Sequence, residues 1–295
     1  MQRRTFLQGT AAAGLSVVGG EGRRPSPNDR ISVGVVGVRG RGGSLLSTFA
    51  SLPEVDVTYV CDVDHGTLNS RVEKLTKSSS HRPKAIGDYR ELLDDDAVDA
   101  LVVGTPDHWH ALPVIGACQT NKDVYVEKPD GHNILEGRTM VAAAKKYGRI
   151  VQLGTQGRSG HAQRACMEYI AGGKLGKVRF AKAWESSRQG NIGFPPDGNP
   201  PKGVDYDMWL GPAPKRPFNP RRFHGSWRWF FDYGTGDLGN DGVHLLDFAR
   251  WGLQTGVTAE GGELAAIPSA ISAHGGKYYF DDAQDWPDTL MVTYD

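Results

Sequence analysis

A lysine stands where a strand stops. In "DVYVEKP", residues 123–129, the strand formers Val124, Tyr125 and Val126 give way at once to Glu127, Lys128 and Pro129. A lysine presented there can take the proton of a hydroxyl if its pKa is lowered toward the working pH. Burial and nearby positive charge lower it, whereas Glu127 favours the ammonium. If the two were only a solvated strand-end pair, they would be worth little. Three other segments carry chemistry. Gly37-Val38-Arg39-Gly40-Arg41-Gly42 has the outer glycines of a G-x-G-x-x-G dinucleotide turn, with Arg39 where the middle glycine belongs and Gly40 just after it. Asp62 follows Gly42 by about 20 residues, the spacing of a carboxylate that accepts from a ribose hydroxyl and repels a 2′-phosphate. NAD is therefore expected as the cofactor ahead of NADP. "GTPDHWHA" places Thr105, Pro106, Asp107, His108, Trp109 and His110 after a strand. Asp107 is expected to cap the next helix, and the run is expected to face the cleft beside adenosine and nicotinamide. Two histidines at i and i+2 with no carboxylate partner make no metal site.

These groups need a frame that presents them along one edge. "ISVGVVG", "VDVTYVCDVD", "DALVVG", "DVYVEKP" and "RIVQLG" read as five apolar strands, with a helical segment after each of the first four. Asp88 and Glu91 have capping-box spacing for one helix, and Gly148 closes another. Alternation with short connections predicts a doubly wound parallel sheet, over residues 30–155. From 156 to 295 the pattern changes. One helix, "HAQRACMEYIAGG", precedes strand-like segments such as "GKVRFAKAWESSR" and the closing "DTLMVTYD". This predicts an α+β domain on an open sheet. The chain stops inside a strand pattern, so that sheet is read as short or the sequence as a fragment.

The 295 residues include 39% hydrophobic and 23% charged residues, with 34 basic against 34 acidic, an ordinary globular composition with no net charge. Such a balance points away from nucleic acid as a partner. Cys61, Cys118 and Cys166 are scattered and are expected as buried hydrophobes rather than disulfides or zinc ligands. The N-terminus differs. "MQRRTFLQGTAAAGLSVVGG" has Arg3 and Arg4 before a short apolar run, the pattern of a twin-arginine export signal. Residues 1–29 are read as signal and linker, the export machinery as a partner, and the destination as periplasmic. No A-x-A cleavage site is visible, so retention as an anchor stays open.

Gly37 to Gly42, "TPDHWH", Glu127-Lys128-Pro129, "HNILEGR", "VQLGTQGRS", "GKLGKV" and "GDLGNDGVHLLD" together resemble the glucose–fructose oxidoreductase, inositol dehydrogenase and rhizopine catabolism family (Gfo/Idh/MocA), in its exported twin-arginine branch. The resemblance runs from about Ile31 to Asp295. It implies a Rossmann domain, a second domain with an open, mostly antiparallel sheet, and NAD(P)-dependent oxidation or reduction of a sugar or polyol. A homo-oligomer built through that sheet is part of the same expectation. Lys128 and His244 are then the catalytic acid–base groups. Where family members carry D-x-x-x-H, this chain has Asn240 before His244, and asparagine cannot take a proton. Asp241 stands one residue nearer. Gln156, Arg158, Trp227 and Asp241 are expected on the substrate side, Trp227 within the aromatic segment "FNPRRFHGSWRWFFDYGTG". Two rival readings are a redox-neutral NAD-dependent glycosidase or lyase, and a non-catalytic carbohydrate-binding or scaffold protein.

Overall fold

In the computed structural model the described residues are 30–78, 82–185 and 189–295. The twin arginines and the linker lie outside them.

Six strands form one parallel sheet: β1 (Ile31–Val36), β2 (Val55–Cys61), β3 (Lys84–Ile86), β4 (Ala100–Val103), β5 (Asp123–Glu127) and β6 (Val151–Gly154). Their order is β3-β2-β1-β4-β5-β6, so the winding reverses between β1 and β4. Five of these strands were expected. The sixth, β3, is three residues long at the sheet edge, too short to show any period. The central strands are buried on both sides, all four residues of β4 included, as parallel sheets covered by helices require. One face packs α1 (Gly40–Ala50) and α2 (His65–Thr76) through Leu45, Leu46, Leu68 and Val72. The other packs α3 (Arg90–Leu93), α4 (Ala111–Gln119) and α5 (Ile134–Tyr147) through Leu92, Val114, Ala117 and Met140.

Local signals act mostly as expected. Gly148 ends α5 in the left-handed region at φ 62°. The capping box does not form: Asp88 accepts from the Arg90 N–H at 3.0 Å and pairs with the Arg90 guanidinium. The arginine's five donors outcompete a single backbone N–H for that carboxylate.

The second half is built around an aromatic core of Trp209, Phe218, Phe223, Phe230 and Tyr233. Its helices are α6 (His161–Ala171), α7 (Tyr206–Leu210), α8 (Gly236–Asn240) and α9 (Gly242–Ala259), and α6 lies against α9. The open sheet is small: β7 (Ile271–Gly276) pairs antiparallel with β8 (Thr289–Tyr294). Residues 176–185, the described part of the segment expected as a strand, pair with no strand among the described residues, and Phe180 and Trp184 are exposed. A strand is defined by its partner, and no described strand pairs with this segment. Cys61 and Cys118 are buried, but Cys166 on α6 is exposed, because that helix buries none of its residues. No described helix is long and apolar enough to cross a membrane.

Candidate active site

A cavity of about 330 Å³ opens at the carboxyl edge of the parallel sheet, where such sheets place ligands. The glycine turn after β1 forms one wall. Gly37 has φ 75°, and a Cβ there would lie 2.8 Å from the Thr105 nitrogen. A Cβ on Gly42 would lie 1.7 Å from the Gly37 carbonyl oxygen. Only glycine fits at either place. Arg39 replaces the middle glycine without strain because its backbone is extended, at φ −89°. The left-handed residue is Gly40 instead, at φ 45°. Arg39 is the N-cap of α1 and gives no side-chain cap, and no acid stands in the first turn. The first N–H groups of α1 are thus left for an anion, aided by the helix dipole. Val38 packs inward and is fully buried.

Asp62 lines the same cavity at the end of β2. Its Oδ2 accepts from the Val38 N–H at 2.8 Å and its Oδ1 from the Asp64 N–H at 2.9 Å. Each oxygen keeps a further lone pair for a diol. Burial pushes its pKa up, and the two N–H donors and Arg39 oppose this. An uncapped helix end, a turn closed to any Cβ and a carboxylate with spare acceptors fit a dinucleotide.

Lys128 also lines this cavity. Its Nζ donates to the Asn240 carbonyl at 2.6 Å and to Asn240 Oδ1 at 3.0 Å, across 112 residues of sequence. Burial holds the Lys128 pKa below its ordinary value. Asp241, Asp107 and Glu127 oppose that, and Arg228 assists it. Glu127 is not the main ionic partner of Lys128. It is 4% exposed and takes Arg41 Nε at 2.8 Å, so the adjacent charges in the sequence belong to different pairs.

Asn240 is buried and holds the ammonium without adding charge. Asn240→Asp would set a carboxylate against it and raise the Lys128 pKa. If the free base is the active form, activity climbs as pH rises through that pKa. The ascending limb of kcat/KM against pH is then expected to move to more alkaline pH. A profile that stays in place would show that Lys128 does not set the limb.

The "TPDHWH" run divides. Thr105, Pro106, Asp107 and Trp109 line the cavity. His108 and His110, expected to face it, turn into the protein. His108 Nε2 lies 3.0 Å from the Trp209 carbonyl, and burial lowers its pKa to about 4. His110 Nδ1 lies 2.6 Å from the Pro129 carbonyl and Nε2 2.9 Å from that of Thr105. It ties the loop after β4 to the one carrying Lys128. Backbone carbonyls buried in the interior draw the imidazoles inward as hydrogen-bond partners. Asp107 caps no helix. It is 2% exposed, accepts from the Thr235 hydroxyl at 2.9 Å, and burial pushes its carboxyl pKa up.

His244 sits in the first turn of α9, outside the cavity walls but in the field of Lys128. Burial, then Lys128, lowers its pKa. Asp241 ends the preceding turn, and its carbonyl accepts from the His244 N–H at 3.1 Å. Trp227 lines the cavity, as does Arg228. Arg158 does not reach it. Its guanidinium binds Asp247 at 2.8 and 2.7 Å and lies 5.0 Å from the Trp251 ring. Gln156, in the same turn, is exposed and also outside the walls. A bidentate carboxylate on α9 captures the arginine that the sequence places near substrate. Thr235 and Trp209 were not foreseen, because no local pattern marks them, whereas Arg228 stands in the aromatic segment.

Among the described residues no three His, Cys, Asp or Glu side chains come together as a metal site. Residues 31–155 match the NAD-binding Rossmann fold of the Gfo/Idh/MocA oxidoreductase family, and residues 177–259 match that family's C-terminal alpha/beta domain. A glycosyl hydrolase family 109 protein of Saccharopolyspora erythraea is 32% identical over 203 residues, covering 60% of this chain and 44% of the relative. An alpha-N-acetylgalactosaminidase of Shewanella oneidensis is 25% identical over 157 residues, covering 52% and 34%. The chain thus spans less than half the length of either. Two solved structures share the fold. GenD2 from gentamicin A biosynthesis, in complex with NAD, is 21% identical, with a TM-score of 0.65 over 93% of this chain and 64% of its own. The WlbA dehydrogenase from Bordetella pertussis, with NADH and UDP-GlcNAcA, is 18% identical, with a TM-score of 0.63 over 89% and 67%.

Proposed function

Since the chain carries both the NAD-binding Rossmann domain and the C-terminal domain of the Gfo/Idh/MocA oxidoreductase family, we propose that it is an NAD-dependent enzyme acting on a CH–OH group of a sugar, polyol or glycoside, with the cofactor held through the cycle. The observation that carries this is Lys128: half-buried, in the cavity that the glycine turn lines, with its pKa lowered and its ammonium held by a neutral side chain. NAD supplies a hydride acceptor in such a site. The turn from Gly37 to Gly42 and the start of α1 receive its phosphates, and Asp62 its ribose. Lys128 takes the proton of the substrate hydroxyl at Nζ and returns it in the reverse sense. Asn240 fixes that Nζ. Trp227 offers a ring to a sugar face, and Trp109, with Met208 and Trp209, walls off water. His244, next to the cavity on α9, is the second acid–base group of the proposal, its pKa lowered by burial and by Lys128.

A second reading, redox-neutral cleavage of a glycoside, is favoured by the names of the two curated relatives. Both readings need a retained cofactor. Arg3 and Arg4 support export by the route that carries folded, loaded proteins, and an exported enzyme has no cytoplasmic pool with which to exchange NADH. The expected result follows. Protein from the exported fraction, dialysed at length, turns over candidate glycosides with no added NAD. Activity only with free NAD, with NADH accumulating in step with product, would make it a conventional dehydrogenase. Absence of any released nicotinamide nucleotide on denaturation, with no turnover, would support the carbohydrate-binding role instead.

A further inference from the structure

Two groups line the cavity beside Asp62: Arg39 from the glycine turn and His224 from the second half of the chain. Both are held from behind by Asp64. Arg39 lies 3.7 Å from Asp64 Oδ2, and His224 Nε2 lies 3.2 Å from the same oxygen. This is not a loose surface cluster. His65 N–H donates to the Gly203 carbonyl at 3.0 Å, and Asp205 N–H to that of Val63 at 2.9 Å. The second half is thereby pinned to the turn after β2, and His224 sits at φ 37° to reach it. Asp64 also caps α2, accepting from the Gly66 and Thr67 N–H groups at 3.0 and 3.2 Å.

We propose that Asp64 is a second determinant of cofactor choice, which excludes NADP by pairing with Arg39 and His224 and by occupying the N-terminus of α2. The inference rests on the dinucleotide reading above. A phosphate on the 2′ oxygen falls one bond from the diol that Asp62 receives, among these same groups. Arg39 would be its natural donor, and the start of α2 would favour its charge. With Asp64 in place, the cation is neutralised, the helix end is satisfied, and a second carboxylate repels the phosphate. Selectivity is thus shared between two carboxylates and two parts of the chain, and Asp62 alone does not complete it.

Asp64→Asn tests this without losing the cap, since asparagine caps as well as aspartate. The full chain, stripped of cofactor, is titrated with NAD and with NADP. The variant is expected to bind NADP about tenfold or more tightly than the wild type does, the worth of one charge-assisted contact, with NAD affinity changed far less and the melting temperature preserved. Adding Arg39→Gln should cancel the gain, which a purely structural role for Asp64 would not predict. An unmoved ratio of NAD to NADP affinity, in a variant that still binds NAD, overturns the proposal and leaves the dinucleotide site standing. A wild-type chain that binds neither nucleotide overturns both.

Discussion

With Lys128 replaced by alanine, NAD is expected to stay bound while turnover falls by about a hundredfold or more, the usual loss with a general acid–base group. The two effects separate because the groups do. The proposed phosphate and ribose contacts are made by the turn after β1 and by Asp62, whereas among the described residues Lys128 Nζ donates to Asn240. Truncation leaves the Asn240 carbonyl and amide without their donor. Asn240 is 6% exposed, so a stability loss of about 1–3 kcal/mol accompanies the change. Lys128→Met keeps the stem but removes the same donor, so its turnover should fall as far as that of the alanine variant. Single-turnover kinetics on the loaded protein, with cofactor content measured after denaturation, decides the matter. Unchanged turnover would make Lys128 a strand-end charge and remove the centre of the proposed mechanism.

Gly42→Ala is expected to abolish NAD retention, and Gly40→Ala to spare it. The two glycines stand two residues apart in one turn, but their surroundings differ. A Cβ on Gly42 meets backbone at 1.7 Å, while a Cβ on Gly40 meets nothing within 4 Å. Backbone cannot step aside as a side chain can. Gly42→Ala therefore displaces the Gly37 carbonyl and the start of α1 together, at a cost of about 1–3 kcal/mol or more. Gly40→Ala carries only the cost of a left-handed backbone, about 1–2 kcal/mol. Thermal unfolding and NAD titration of both variants provide the comparison. Equal NAD affinity in the two would show that the turn does not cradle the cofactor.

What the sequence by itself determined is the frame and its edge. Strands buried on both faces are written as continuous apolar runs, and the helices between them carry their own stops, so five of six strands and the reversal of winding were legible. The Gly37–Gly42 turn, Asp62 and Lys128 were legible for the same reason. Each lies within a few residues of a strand end, and the strand end fixes where it points. Only the tertiary structure decided the partners. Glu127 and Lys128 are adjacent in sequence, yet one binds Arg41 and the other Asn240. His108 and His110 turn inward to backbone carbonyls that belong to other segments. Arg158 is taken by Asp247, 89 residues away. Asp64 binds a histidine 160 residues on. Local periodicity records which face of an element is apolar. It does not record which polar group on a distant element reaches a given carboxylate or imidazole first, and that competition is settled by geometry once the two halves of the chain have packed.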